Sequence, residues 1–292
     1  MTDPSSARVV TNDVDEQIIL AELADSRRLY VATRRRRVLL PVILFVATCY
    51  STWITGGWQF SLALMAILTA HELGHFFQCL RYRVPASLPF FIPMPFSPIG
   101  TMGAVIGMHA SLANRRSLFD IAITGPLAGL VPALVFSVIG LSLSEVGPIS
   151  DDSLMLGEPL IFKLLAYWIV GPLPEGTDIQ LHPLGFAGWV GIFITALNLF
   201  PISQLDGGHV LYALLRKKAH VVAMAVFAFL LMGTMVWGYT GWILMICLLL
   251  MMGIRHPPTS YDEMPLGPKR TTIGWLSLPF VIVGFTPTPF VF

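Results

Sequence analysis

From residue 38 onward, apolar positions fall in long unbroken runs rather than in the three-to-four-residue alternation of a surface helix. Such runs cover residues 38–55, 61–80, 118–143, 184–215, 221–237 and 242–254, and read as membrane helices. Gly56-Gly57 turns the first into the second, and residues 238–241 turn the fifth into the sixth. Residues 160–170 are apolar but short and stop at Gly171-Pro172, which predicts an interfacial or re-entrant piece. A last run, 272–285, is also short, and its crossing is left open. The expected fold is an all-α polytopic membrane protein of six to seven transmembrane helices.

Two stretches break the helical pattern. Residues 84–110 carry prolines at 85, 89, 93, 95 and 98, which remove backbone donors, yet the stretch is too apolar for an aqueous loop. A re-entrant or membrane-edge β-like hairpin buried against protein is expected. Its tail, residues 100–108, reads as a glycine-spaced strand that is either a structural hairpin or an edge offering Gly103, Ala104 and Val105 to an extended peptide. The run 184–215 is interrupted at Pro201 and again at Asp206-Gly207-Gly208. A broken helix with an acid at the break is how membrane proteins line a functional cavity.

Composition agrees with this pattern. The chain of 292 residues is 55% hydrophobic and 12% charged, with mean hydropathy +0.72, against about 25% charged in soluble domains. A net charge of +1 and the lack of a basic, aromatic-laced patch argue against nucleic acid as a partner. Basic residues cluster at 34–37, 81 and 83, 115–116, 216–218 and 255, which sets the N-terminus and all of these turns on the cytoplasmic side. No secretory signal is read. Residues 1–37 are expected to be a cytoplasmic N-terminal segment with a surface helix over 14–31. Residues 38–292 are expected to be one membrane domain with a core of about 58–215. The three cysteines, Cys49, Cys79 and Cys247, sit in apolar runs and read as packing.

Chemistry enters at His71-Glu72-Leu73-Gly74-His75. The spacing H-E-x-x-H sets two imidazoles one helical turn apart on one face, with a carboxylate beside them. That is how two histidines bind one zinc ion while a glutamate acts as general base. Ionisable residues inside a membrane helix are costly and mark function. Arg81 follows His71 by ten residues and Arg216 follows Asp206 by ten, so all three side chains sit about 10–15 Å inside the same edge. This match of depth makes Asp206 the expected third ligand, ahead of Cys79, His209 and Asp120. The chain thus reads as an integral, multi-pass protein with its reactive centre toward the cytoplasmic side.

H-E-L-G-H in a membrane helix followed by Asn198–His209, N-L-F-P-I-S-Q-L-D-G-G-H, resembles the site-2 protease family of intramembrane zinc metalloproteases. The stretches Gly100–Met108 and Asp120–Gly129 are also similar to that family. The resemblance covers about residues 58–215, in a compact form without the PDZ insertion or nucleotide-binding appendage of other members. It implies that His71, His75 and Asp206 bind one zinc ion, that Glu72 is the catalytic base, and that Asn198 orients or stabilises the substrate carbonyl. The implied activity is cleavage of single-span membrane proteins in the bilayer near the cytoplasmic face, in regulated intramembrane proteolysis. A metal transporter and a catalytically silent membrane-protein binder are the alternatives.

Overall fold

The computed structural model describes residues 4–291 except 109, 150–154 and 239–240, and side chains from Val38 onward other than those of 110, 237 and 291. The expected surface helix at 14–31 and the arginines at 34–37 lie outside these described side chains. The chain forms two compact units, Met1–Ile43 and Leu44–Phe292. The first is the leading stretch of helix α1 (Pro4–Tyr82). All the candidate site residues belong to the second.

Helix α1 reverses direction at Gly57, whose φ of 82° and ψ of 174° are not helical. The Ser61 hydroxyl donates to the Cys49 carbonyl at 2.9 Å and meets Thr52 Oγ1 at 2.8 Å. Twelve residues of continuous helix would hold Ser61 and Cys49 about 18 Å apart. A positive φ suits glycine, which has no β-carbon to clash. The second arm, residues 58–82, carries the H-E-x-x-H sequence.

The expected hairpin forms from β1 (Phe90–Pro93) and β2 (Thr101–Val105), antiparallel with Phe91 opposite Ala104. Phe91 packs edge-on against Phe45 at 5.0 Å, and Ser51 Oγ donates to the Gly100 carbonyl at 2.6 Å. Among the described residues β2 pairs with β1 alone, so its other edge has no strand beside it.

Helix α2 (Arg115–Ser142) starts where the Asn114 side chain caps the N–H groups of Arg116 and Ser117. After it come β3 (Glu145–Pro148), β4 (Met155–Leu156), the short helix α3 (Leu160–Ile169) and β5 (Thr177–Gln180). Helix α4 (Pro183–Asn198) packs back along α2. Small residues let these two helices meet: a β-carbon on Gly140 would lie 1.9 Å from Gly185 N, and one on Gly188 would lie 2.4 Å from Ser137 Oγ. Fully buried Phe60, Trp189 and Ile192 fill the core around this contact.

The break in run 184–215 is real: α4 ends at Asn198 and α5 (Asp206–Leu215) begins at the acid. Arg216, at φ 55°, then separates α5 from α6 (Ala219–Trp237), which is followed by α7 (Gly241–Met252). Residues 272–285 form parts of α8 (Pro268–Ser277) and α9 (Phe280–Gly284), followed by β6 (Phe290–Val291). Arg270 of α8 grips Asp120 near the start of α2, α9 packs against α4 and α3, and β6 pairs with β4. This last segment therefore runs from the start of α2 to Trp189 of α4, on which Phe290 packs at 5.5 Å.

The fold is mostly helical, and beside the expected β1–β2 hairpin the described residues form two further two-stranded antiparallel sheets, β3–β5 and β4–β6. The close approach of α2 and α4 holds the chain leaving one beside the chain entering the other, so Glu145 pairs with Gln180 and Pro148 with Thr177. Three described helical stretches are long and apolar enough to cross a membrane: Val38–Tyr82, Arg115–Ser142 and Asp206–Val236.

Candidate metal centre

His71, Glu72 and His75 are all buried on the second arm of α1. The break after α4 delivers Asp206 to them as the first residue of α5. Its Oδ2 lies 3.1 Å from His71 Nε2 and 3.3 Å from His75 Nε2, and the two Nε2 atoms are 3.1 Å apart. Among the described residues this is the one group of three such side chains able to hold a metal.

The donor set fits a tetrahedral divalent ion such as zinc. Four ligands at about 2.0–2.1 Å from zinc lie about 3.3–3.4 Å from one another, close to the three measured edges. The His75 tautomer also fits. Its Nδ1 lies 2.7 Å from the Ile121 carbonyl, which only accepts, so Nδ1 carries the proton and Nε2 keeps its lone pair for a metal.

Glycines set the walls. A β-carbon on Gly125 would lie 2.1 Å from His75 Nε2, and one on Gly129 would lie 3.0 Å from His71 Cβ. The small residues of Gly-Pro-Leu-Ala-Gly therefore admit the two imidazoles between α1 and α2. Gly207 plays the same part behind Asp206: a β-carbon there would lie 1.9 Å from the Leu199 carbonyl oxygen. The loop between α4 and α5 is pinned to the end of α7, since Ser203 Oγ donates to the Gly253 carbonyl and Gln204 Nε2 to that of Met252.

These groups open on a cavity of about 210 Å³. Glu72 lines it together with His71, His75, Asp206, Asn198 and His209, and Ala104 and Val105 of β2 form part of its wall. Asn198 Nδ2 lies 3.3 Å from His71 Nε2. Gly103 is not among the lining residues; its N–H and carbonyl both meet Thr101 Oγ1, at 3.0 and 3.3 Å.

The other ligand candidates go elsewhere. Asp120 accepts from Arg270 Nε and Nη2, each at 2.8 Å, and from the Tyr82 hydroxyl. Cys79 is buried among Val84, Leu118 and Leu211. His209 lines the cavity but its Nδ1 faces His256 Nε2 at 2.5 Å. Sequence reasoning missed His256, which stands alone in a polar, proline-rich stretch with no periodicity to mark it.

The profile of peptidase family M50 matches residues 59–234, which include every residue of this centre. The chain belongs to that family. Its relatives include the probable zinc metalloprotease EGY1, chloroplastic, of Arabidopsis thaliana, 28% identical over 235 residues, covering 77% of this chain and 42% of the relative. The protein of that name in Oryza sativa subsp. japonica is 33% identical over 162 residues, covering 53% of this chain and 28% of the relative. The probable zinc metalloprotease EGY3, chloroplastic, of Oryza sativa subsp. indica is 30% identical over 239 residues, covering 72% and 38%. The chain thus spans less than half the length of these relatives.

Proposed function

We propose that this chain is a zinc-dependent intramembrane endopeptidase in which His71, His75 and Asp206 hold one zinc ion and Glu72 is the catalytic base. The observation that carries this reading is the buried convergence of three ligand atoms within 4.8 Å of one another, on a cavity that Glu72 also lines. Membership of family M50 and the names of the relatives support it. A transporter would need ligand groups at several depths, and among the described residues there is one.

Zinc, when bound, supplies Lewis acidity toward water and the scissile carbonyl. Glu72 removes a proton from the attacking water and passes it to the leaving amine. The Asn198 amide donates to the carbonyl oxygen as charge develops there, a contribution of about 3–4 kcal/mol for one donor in comparable sites. The unpaired edge of β2 at Ala104 and Val105 holds the substrate as an extended strand. Gly103 shapes the approach to that edge through its φ of 97°.

Substrates are single-span membrane proteins that unwind locally, because a helix hides its carbonyls in its own ladder. The basic residues at the ends of the runs support a cytoplasmic N-terminus and cleavage near that face. Residues 38–292 would form the protease domain, and residues 1–37 a cytoplasmic segment. The reversal at Gly57 and the path of the last segment from Asp120 of α2 to Trp189 of α4 favour seven crossings: the two arms of α1, α2, α4 with α5, α6, α7, and the last segment.

The test is cleavage of a single-span substrate by protein reconstituted in liposomes. Wild type cuts, and Glu72→Gln does not while keeping its zinc. Equal rates for the two would overturn the assignment.

A further inference from the structure

His209 projects into the same cavity as Glu72, yet the proposed metal centre leaves it no part. It sits in the first turn of α5, three residues after Asp206, and is itself buried. Its Nδ1 lies 2.5 Å from Nε2 of His256, a buried residue just beyond α7. The far side of the His256 ring is also engaged, because its Nδ1 meets the Pro257 carbonyl. The ring is clamped flat on Tyr212, with centroids 4.2 Å apart and planes 17° apart. Tyr212 is in turn fixed by its hydroxyl, which donates to Asp262 Oδ2 at 2.8 Å.

This chain of contacts sets which nitrogen carries which proton. A carbonyl only accepts, so His256 Nδ1 is the protonated one and its Nε2 presents a lone pair. His209 must then donate from Nδ1, which leaves Nε2 of a neutral ring as an acceptor. Among the described residues no hydrogen bond holds that Nε2, and no fully buried side-chain nitrogen or oxygen lacks a partner. Nε2 is therefore open to the cavity that the ring lines.

What the cavity needs is an acceptor. A helix that unwinds to expose a carbonyl also strands its amide N–H groups, and each one buried without a partner is costly. We propose that His209 Nε2 accepts a hydrogen bond from a main-chain N–H of the unwound peptide substrate, with His256 as the positioning residue that fixes its tautomer. Ala104 and Val105 of β2 line the same cavity, so the peptide would be held by backbone contacts at β2 and at α5. This inference rests on the peptidase reading above.

The test uses the full chain loaded with zinc, in the Glu72→Gln background so that the probe survives. The probe is a fluorescent apolar peptide of about 25 residues, long enough to span a bilayer, with an Asn-Gly break, and a series N-methylated one residue at a time through that break. At one position, N-methylation weakens binding roughly fivefold to tenfold, the weight of one hydrogen bond. That loss disappears in His209→Phe, which keeps the ring volume but not the acceptor. His256→Phe keeps the ring on Tyr212 and loses the acceptor for His209, so it behaves like His209→Phe, and the double variant loses nothing more.

N-methyl losses that are the same with and without His209 would overturn the proposal. Loss of zinc in His209→Phe, with binding otherwise intact, would also overturn it by assigning His209 to the metal. Failure of the peptidase reading itself would show separately, as equal cleavage by wild type and Glu72→Gln.

Discussion

Gly125 of α2 lies against His75 so closely that a β-carbon there would fall 2.1 Å from the imidazole Nε2. That nitrogen is also the one facing Asp206 and His71. A methyl group at position 125 thus competes directly with the proposed metal ligand for its place. The His75 ring has little room to turn, since its Nδ1 is tied to the Ile121 carbonyl. Gly125→Ala should lower zinc affinity and cleavage by at least ~100-fold, the upper range for groups that orient a ligand. Gly129→Ala, whose β-carbon would sit 3.0 Å from His71 Cβ, should cost ~10-fold. Zinc content after dialysis against a graded chelator distinguishes the two.

In the proposed mechanism Asp206 and Glu72 separate metal binding from proton transfer. Asp206 Oδ2 completes the group with His71 and His75, so Asp206→Ala should leave purified protein with little zinc. Glu72→Gln should retain a full equivalent and lose cleavage by several orders of magnitude, as expected of a general base. Metal analysis of the two variants beside wild type checks this. Full zinc retention in Asp206→Ala would mean that the centre closes without its carboxylate.

Much of this was legible in the chain because membrane helices write their ends in charge. Arg81 and Arg216 gave His71, His75 and Asp206 one depth, and the three side chains do meet. The turn at Gly57 was legible because a glycine pair interrupts an apolar run. The Gly-Pro-Leu-Ala-Gly stretch of residues 125–129 marks a site of close helix approach but not the seat of two imidazoles, because small residues leave space without naming what fills it. The strands were less visible. Phe290 pairs with Leu156 across more than a hundred residues, and two-residue strands carry no period that local sequence can show. His256 was hidden for the same reason, since His209 lies 47 residues away.

The His256 imidazole gives stability a pH dependence. Burial pushes it down from 6.5 to about 4, so the folded protein keeps it neutral through mildly acid pH while the unfolded chain takes up a proton. The unfolded state then binds more protons as pH falls below 6.5, and stability declines until pH approaches 4. Above pH 6.5 the group has no effect. The full loss is on the order of 3 kcal/mol for one imidazole. His256→Phe should therefore flatten the fall in melting temperature over that window, measured in detergent against wild type. An unchanged slope would assign the acid sensitivity to other groups.

The path of the last segment carries a topological consequence. Arg270 holds Asp120 through two contacts of 2.8 Å near the start of α2. From there the segment reaches Trp189 of α4, where Phe290 packs at 5.5 Å and β6 pairs with β4, and Trp242, in the first turn of α7, donates its indole N–H to the Pro287 carbonyl at 2.7 Å. Neither α8 nor α9 is long enough to cross alone, but together with the extended residues that follow they extend from Asp120 to that level. A reporter fused after residue 292 should therefore lie on the face opposite one fused before residue 1. Protease protection in right-side-out and inverted vesicles tests this, with one terminus digested in each. If both termini are digested in the same vesicles, residues 268–291 do not cross, and the pairing of β6 with β4 must form without traversing the bilayer.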